Sequence, residues 1–475
     1  MLFRRGLAAE SCYIPCVREI LRKHSRFFLA ATLAAIVLRL FFVFRFPAIT
    51  SDSRVYADIA KNWLQHGIYG LGGGAGITPT GIRLPGYPAF LVAVFAIFGV
   101  DHYRAALLLQ ILVDLGTCFL IADLGGRVAS ERAAKIAFLL AAVCPFLANY
   151  TAAALSETWE IFFTVLALDL ALAGIADREN VRLGSWLGCG LAIGMAILLR
   201  PDGGLLLIAI EVYLIIVAVQ ASANGRPIGP CIKSGFIVGV VSLACLIPWT
   251  FRNLHTLREF QPLAPRYANE EGTLVPTGFI RWMKTWIADY ASVEEVYWAV
   301  PGNPIDVDTL PSRAFDSRQQ ADQTDELLDD YNHSLRITPA LDASFAGLAA
   351  VRIRHAPLRY YIWLPALRIA DMWLRPRTEI LPCNVRWWEF DEDTQWLVLN
   401  IVLGVVNLLY IAAALLGLRR RRFAAGFAML LIFIVLRSVF LGTLENPEPR
   451  YTLECYPIVI LLAATLISRT SRLQS

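Results

Sequence analysis

Apolar residues in this chain gather in continuous runs of about 20, the length that crosses a bilayer core at 1.5 Å per helical residue. The runs lack the period-two alternation of a membrane barrel, so they predict helices. Ten spans follow: 27–46, 103–123, 134–150, 157–175, 184–199, 203–220, 234–250, 393–417, 424–442 and 452–468. Residues 86–100 (GYPAFLVAVFAIFGV) are apolar but short, and counting them as a crossing would turn the Arg419–Arg422 run outward. They are read as a helix dipping into the outer leaflet.

Two polar stretches interrupt the pattern. The first outer loop, 47–102, opens with DSRVYADIAKNWLQHG, in which Val55, Ile59, Trp63 and Leu64 share one helical face, as in a helix lying at the membrane interface. The second, about 251–392, is large enough for a small folded unit. Its Trp282, Trp286, Tyr290, Tyr297 and Trp298, with Trp387 and Trp388, read as interfacial anchors. Its acidic stretch 316–330 reads as a solvated helix or loop. The expected division is a transmembrane module over 1–260, an extracytoplasmic loop or small domain over 261–392, and C-terminal membrane helices over 393–475.

Charge orients these spans. Arg127, Arg132, Lys135, Arg178, Arg182, Arg226, Lys233, the Arg419–Arg422 run, Arg469 and Arg472 fall on one side, which is therefore cytoplasmic together with both termini. Arg4, Arg5, Arg18, Arg22, Lys23 and Arg26 precede a first apolar stretch longer than a signal-peptide core, so that helix is expected to be retained. Composition agrees: 57% of the residues are hydrophobic and 17% charged, against about 25% charged in a soluble domain. A net charge of +4 provides no nucleic-acid face. Cys118, Cys144, Cys189, Cys245 and Cys455 lie in apolar runs and read as small hydrophobes, and Cys12 and Cys16 have no partner cluster for a metal.

Candidate chemistry sits at span ends. Asp52 follows the first span almost at once, placing a carboxylate at the outer surface. Some thirty residues later comes RLPGYP, in which Pro85 and Pro88 stiffen the chain around Gly86-Tyr87. Arg83 at that turn is either a phosphate ligand, through paired charge-assisted hydrogen bonds, or an interfacial arginine that snorkels. Glu157, in ALSETWE, is either a site acid or a dipole-favoured residue at a helix start behind Ser156. Arg200, Arg252 and Arg450, the last beside Tyr451, also fall on the outer side, where arginines do not normally accumulate; an anionic ligand is one reason for them. Asp114, Asp169 and Glu211 lie inside spans, where an ionised group costs about 2.5–3.5 kcal/mol, so they should be paired or protonated. The glycine-rich LGGGAG at 71–76 is preceded by no expected strand and opens no helix; it reads as a loop or lid rather than a nucleotide fingerprint.

In this order, Asp52 with Ser53 and Tyr56, RLPGYP, LSE at 155–157, RP at 200–201, PWTFRN and a C-terminal RY resemble the GT-C superfamily of multi-spanning glycosyltransferases. The similarity is to the branch with protein O-mannosyltransferases and lipid A aminoarabinose transferases, over roughly 27–260 plus a weaker C-terminal match. The resemblance implies an all-α polytopic bundle with about ten or more spans. It also implies sugar transfer from a polyprenyl-phosphate carrier to an acceptor protein, lipid or glycan at the outer membrane face. Asp52 would be the essential acid of the first outer loop and Glu157 the second acid, where the family frequently has aspartate. Arg83 would contact the carrier phosphate, with Tyr56, Tyr87, Arg200, Arg252, Arg450 and Tyr451 around it.

Polyprenyl phosphate leaves readily once arginines stabilise its charge, so the acceptor needs chiefly a carboxylate base, the role suited to Asp52. Two carboxylates could hold a divalent cation with water, although no cluster has ligand spacing. The chain is expected in a bacterial plasma membrane, with a lipid-linked sugar and membrane lipid as partners and no nucleic acid. The rival reading is a transporter or flippase of lipid-linked intermediates that uses the intramembrane acids.

Overall fold

The computed structural model describes residues 17–74, 76–175, 181–267, 273–389, 393–420 and 426–467. Arg4, Arg5, Cys12, Cys16, Arg178, Arg421, Arg422, Arg469 and Arg472 lie outside the described residues. The chain packs as two units. The first holds the described residues of Met1–Arg266, Leu408–Ile434 and Leu453–Ser475; the second holds those of Tyr267–Asn407 and Val435–Thr452.

The first unit begins with α1 (Val17–Lys23), α2 (Ser25–Arg45) and α3 (Ser51–His66). A two-stranded hairpin follows, β1 (Gly70–Gly73) antiparallel to β2 (Gly76–Pro79). This corrects the reading of 71–76 as an irregular loop: side chains from α3 bind the backbone of the first strand. Asn62 donates to the Gly70 carbonyl at 2.9 Å, and the Gly72 amide donates to Asp58 at 2.7 Å. The apolar face of α3 is as expected, but Ile59, Val55 and Trp63 pack against Tyr69, Leu84 and Trp249 of the same unit.

Next come α4 (Gly86–Phe98), α5 (Tyr103–Val128), α6 (Glu131–Ala142), α7 (Pro145–Tyr150), α8 (Glu157–Ile175), α9 (Leu183–Leu199), α10 (Gly204–Ala223), α11 (Gly229–Ala244) and α12 (Ile247–Thr256). α4 has 13 residues, about 20 Å, which is short of a full crossing. The expected span at 134–150 is two helices. Pro145 lacks the N–H that would bond the carbonyl of Ala141, so the helix breaks there. Arg39 of α2 donates to the carbonyls at the break, Ala142 at 2.6 Å and Ala141 at 3.2 Å, the latter also accepting from the Cys144 amide at 3.3 Å. Its Nε meets Asp114 of α5 at 2.5 Å, and the arginine is wholly buried.

Arg127 likewise bonds both Asp123 and Asp169. Two of the three intramembrane acids are thus paired, as their cost in hydrocarbon requires. The third, Glu211, lies against Gly235 of α11, and its Oε1 is buried without a hydrogen-bond partner among the described residues.

The second unit contains α13 (Thr277–Met283), α14 (Tyr290–Ser292), α15 (Arg318–Ser334), α16 (Pro339–His355) and α17 (Leu364–Leu374). Its aromatic residues overturn the reading as interfacial anchors for the majority of the group. Trp282, Trp286 and Tyr290 are buried with Phe279, Phe345 and Leu348 in a core, against which Tyr297 also packs. The cause is the apolar spacing of α16, whose Leu341, Phe345, Leu348 and Ala349 face α13. Trp298, Trp387 and Trp388 remain partly exposed.

Asp316, just ahead of α15, receives two hydrogen bonds from Arg359, at 2.6 and 2.9 Å. Burial opposes its ionisation, but the hydrogen bonding and the charges of Arg352 and Arg359 outweigh it and hold the carboxyl below its usual range. A folded value below the unfolded one contributes stability above about pH 4, lost as pH falls through the folded value. Asp316→Asn should therefore flatten the acid limb of a thermal-stability profile in detergent; an unchanged slope would show that the pair carries no linkage.

The remaining helices are α18 (Thr394–Arg420), α19 (Phe427–Gly442) and α20 (Tyr456–Ile467). Among the described residues, seven helical stretches are long and apolar enough to cross a membrane: Ser25–Arg45, Tyr103–Val128, Glu157–Ile175, Pro201–Ala223, Gly229–Thr256, Thr394–Arg419 and Pro449–Ile467. Gly86–Phe98, Leu183–Leu199 and Phe427–Gly442 are shorter apolar helices. The chain is an all-α polytopic membrane protein with one small hairpin among its described residues.

Candidate active site

Asp52 and Glu157 are 105 positions apart, yet one backbone contact ties their segments together. Ala48 donates to the Ala152 carbonyl at 2.8 Å, and Ala154 donates back to Ala48 at 3.1 Å. This parallel bridge sews the exit of α2 to the strand-like entry of α8. From Ala48 the chain enters α3 through a capping box. Thr50 accepts from the Ser53 amide at 3.3 Å, and the Ser53 hydroxyl accepts from the Thr50 amide at 3.0 Å. Asp52 thereby occupies the first turn, where the helix dipole favours a negative charge.

The Arg83 turn is fixed from three sides. Tyr69 donates to the Arg83 carbonyl at 2.9 Å. Gly86 passes so near the end of α9 that a Cβ there would lie 2.7 Å from the Leu198 carbonyl oxygen, so only glycine fits. Tyr87, fully buried, donates to Gln110 at 2.9 Å. Gln110 in turn donates to the carbonyls of Thr151 at 3.2 Å and Ala153 at 2.8 Å. One amide side chain, at 0% exposure, thus couples the Arg83 turn to the segment leading into Glu157.

These constraints bring Arg83 to Asp52, with Nη2 to Oδ1 at 2.7 Å. Both side chains keep an open face, at 21% and 31% exposure. The Arg83 guanidinium lies over the Tyr56 ring, 5.7 Å from its centroid, and Tyr56 meets Tyr87 edge-on at 5.1 Å. Burial lifts the Tyr56 phenol above its ordinary value; the Arg83 charge opposes the lift and Asp52 adds to it. Arg200 and Glu157 also act on Tyr56, so this protonated hydroxyl stands within electrostatic reach of both acids and both arginines.

Arg200, at the end of α9, lies among three carboxylates: Glu157 and Glu160 at 3.6 Å each, and Asp202 at 3.2 Å. Glu157 and Glu160 are almost completely buried. Sequence reading had passed over Glu160 and Asp202. The i, i+3 spacing of ETWE, which puts both glutamates on one helix face, was the available signal. Gln110 was missed because a lone glutamine in an apolar run has no motif.

Arg252 joins the hairpin rather than the acids. It bonds the carbonyls of Thr80 at 2.7 Å and Tyr69 at 2.5 Å, and it lies over the rings of Tyr69 and Trp249. Arg450 and Tyr451 belong to the second unit, where Arg450 pairs with Glu448 at 2.6 Å and Asn446 bonds the Tyr451 hydroxyl at 3.0 Å. Among the described residues, no group of three acidic, histidine or cysteine side chains is arranged to hold a metal ion.

The family model of dolichyl-phosphate-mannose-protein mannosyltransferases matches residues 81–250, a stretch that contains Arg83, Tyr87, Gln110, Glu157 and Arg200. No curated protein matches the sequence. Among solved structures, the oligosaccharyltransferase of Archaeoglobus fulgidus tethered to an acceptor peptide is 13% identical with a TM-score of 0.51, over 93% of this chain and 49% of that one. The same enzyme, AglB, with an inhibitory peptide and a dolichol-phosphate gives 14% and 0.48, over 93% and 50%. ArnT from Cupriavidus metallidurans bound to undecaprenyl phosphate gives 15% and 0.42, over 94% and 78%. The chain spans about half the length of the oligosaccharyltransferase. At such identity the likeness is one of fold. The chain is a multi-pass membrane protein with the helical fold of this GT-C glycosyltransferase, and its residues 81–250 are similar to the mannosyltransferase family.

Proposed function

We propose that the chain is a glycosyltransferase that moves a sugar from a polyprenyl-phosphate carrier to an acceptor at the outer membrane face. The Asp52–Arg83 pair carries the reading: a carboxylate in the first turn of a helix in contact with a guanidinium, both partly exposed on packed supports. The matching family's named donor, dolichyl-phosphate mannose, is of the same chemical class.

The reaction assigns each group a task. The bond between the sugar's anomeric carbon and the phosphate oxygen breaks, and the carrier phosphate leaves with the electron pair. Arg83 exchanges its hydrogen bond to Asp52 for the carrier phosphate, meeting the charge as it develops. Released from Arg83, Asp52 takes the proton of the acceptor hydroxyl or amine as that atom bonds to the anomeric carbon. Tyr56, whose ring lies under the Arg83 guanidinium, adds a protonated hydroxyl to the site. Glu157, held by Arg200 beside Glu160 and Asp202, orients the acceptor. The three carboxylates make the surroundings of Arg200 unfavourable for a phosphate, which favours a positioning role for it. Arg252 holds the hairpin beside the turn.

The sugar is a hexose or pentose and the acceptor a protein, lipid or glycan, in a bacterial inner membrane with both termini cytoplasmic. The transporter reading loses ground, since Asp114 and Asp169 are engaged by arginines rather than arrayed along a path.

Arg83 provides the direct test. Arg83→Lys keeps the charge but loses the planar fork, and Arg83→Ala loses both. Hydrogen bonds to charged groups contribute about 1.5–3 kcal/mol, so Arg83→Ala should raise the KM for a polyprenyl-phosphate sugar about tenfold to a hundredfold, with lysine between. Steady-state kinetics on purified protein in detergent reads this, and a donor KM unchanged in both variants would remove Arg83 from the phosphate site.

A further inference from the structure

The second unit contains a helix whose polarity is inverted relative to a water-soluble one. The chain is helical from Pro357 to Leu374, through a widened turn at Arg359–Trp363 that runs into α17. At four-residue spacing, Leu358, Ile362, Ala366, Ala370 and Leu374 form one exposed stripe, with Tyr361 and Trp363 exposed beside it. Leu358 is 71% exposed, Tyr361 66%, and Ile362 and Trp363 62% each.

The polar residues of this helix point the other way. Arg368, at 1% exposure, bonds the carbonyls of Lys284 at 2.7 Å and Ile287 at 2.9 Å. Asp371 accepts from the Tyr290 amide at 2.9 Å, and Arg359 holds Asp316. A helix in water buries its apolar stripe and hydrates its charges. Here the charges are satisfied inside the protein and the apolar stripe meets the solvent, the arrangement that hydrocarbon selects.

What the helix packs against points to the same solvent. Trp373 bonds Ser438 at 3.1 Å, and Met372 and Ile369 pack with Leu441. These partners belong to α19, an apolar helix of membrane composition whose Val435, Val439 and Phe440 are themselves exposed. The stripe therefore continues a lipid-facing surface. Ahead of it, exposed Arg354 and His355 offer positive charge to anionic headgroups.

We infer that Pro357–Leu374 is a membrane-embedded helix, its exposed stripe covered by lipid acyl chains, so that the stretch between α12 and α18 is not wholly aqueous. Eighteen helical residues span about 27 Å, close to the depth of a bilayer core.

Single cysteines at Ile362, Ala366 and Ala370, in a full chain otherwise lacking cysteine, test this against a control at exposed Glu326 of α15. In membranes, a membrane-impermeant maleimide should label the three stripe positions more than about tenfold more slowly than the control, because a thiol in hydrocarbon does not form its thiolate. Labelling at the control rate would overturn the inference. So would oxidative cross-linking of Ala366→Cys into a covalent dimer, which would assign the stripe to a second copy of the chain.

Native protein reconstituted in vesicles of brominated phosphatidylcholine gives a measurement that needs no cysteine replacement. The fluorescence component removed by Trp363→Phe should be quenched by the bromine. Absence of quenching in that component would equally overturn the inference.

Discussion

Asp52→Asn should lower the turnover of sugar transfer by about a hundredfold to ten-thousandfold, the range of a general base. The substitution keeps the shape and the first-turn position of the side chain, so α3 and its capping box should survive. Its second consequence separates chemistry from binding. Arg83 gives a short side-chain contact to Asp52, at 2.7 Å. An amide holds a guanidinium less strongly than a carboxylate does, which leaves Arg83 freer to meet the carrier phosphate. The KM for the lipid-linked donor should therefore stay level or fall while kcat collapses, a pattern opposite to that of the Arg83 variants. Asp52→Glu should recover part of the loss, because the base is restored at a displaced position. Near-wild-type turnover of Asp52→Asn, with normal amounts of folded protein, would end the base assignment.

That Asp52 and Arg83 share one site was legible in the sequence because each stands at a span boundary on the same expected side; their direct contact was not. What the sequence did not display was the means of joining them. The bridge between Ala48 and the 152–154 backbone is made by alanines, which carry no chemical signal. Gln110 reads as one polar residue in an apolar run, and only the fold reveals that its amide serves Tyr87 and two carbonyls together. Arg252 shows the converse difficulty. An outward arginine suggests an anion, but here backbone carbonyls of the hairpin are the acceptors, and hairpin geometry was invisible because glycine-rich strands have neither period nor propensity.

The membrane spans were read with more success, since hydropathy over about 20 residues reflects the solvent directly. The exceptions have local causes. Pro145 divides 134–150, and α9 and α19 have 17 and 16 residues, at the short end of what crosses. The tryptophans of the second unit misled because an amphipathic ring suits an interface and a core equally well. Burial against α16 decides between those environments, and it depends on residues some sixty positions away.

Removing the guanidinium of Arg39 should produce the largest stability loss in the first unit. Arg39 is fully buried and bonds Asp114, the carbonyls of Ala35, Ala141 and Ala142, and the Cys118 sulfur. Arg39→Met fills similar space but strands the Asp114 carboxylate and exposes the Ala142 carbonyl at the break before Pro145 to an apolar surround. Breaking a buried ion pair from one side costs about 3–5 kcal/mol. That is a large share of the 5–15 kcal/mol typical of a folded domain, so most of the single variant should run as aggregate in detergent chromatography. Arg39→Met/Asp114→Leu removes the stranded charge and should recover much of the monodisperse protein. Recovery should stay incomplete, because the Ala142 carbonyl still loses its Arg39 donor, whereas Ala141 keeps the Cys144 amide at 3.3 Å. A single variant as stable as the native protein would show that water or a rearranged partner reaches Asp114. A double variant no better than the single would place the cost in the uncapped Ala142 carbonyl, and Arg39 would then act chiefly as the cap of a broken membrane helix.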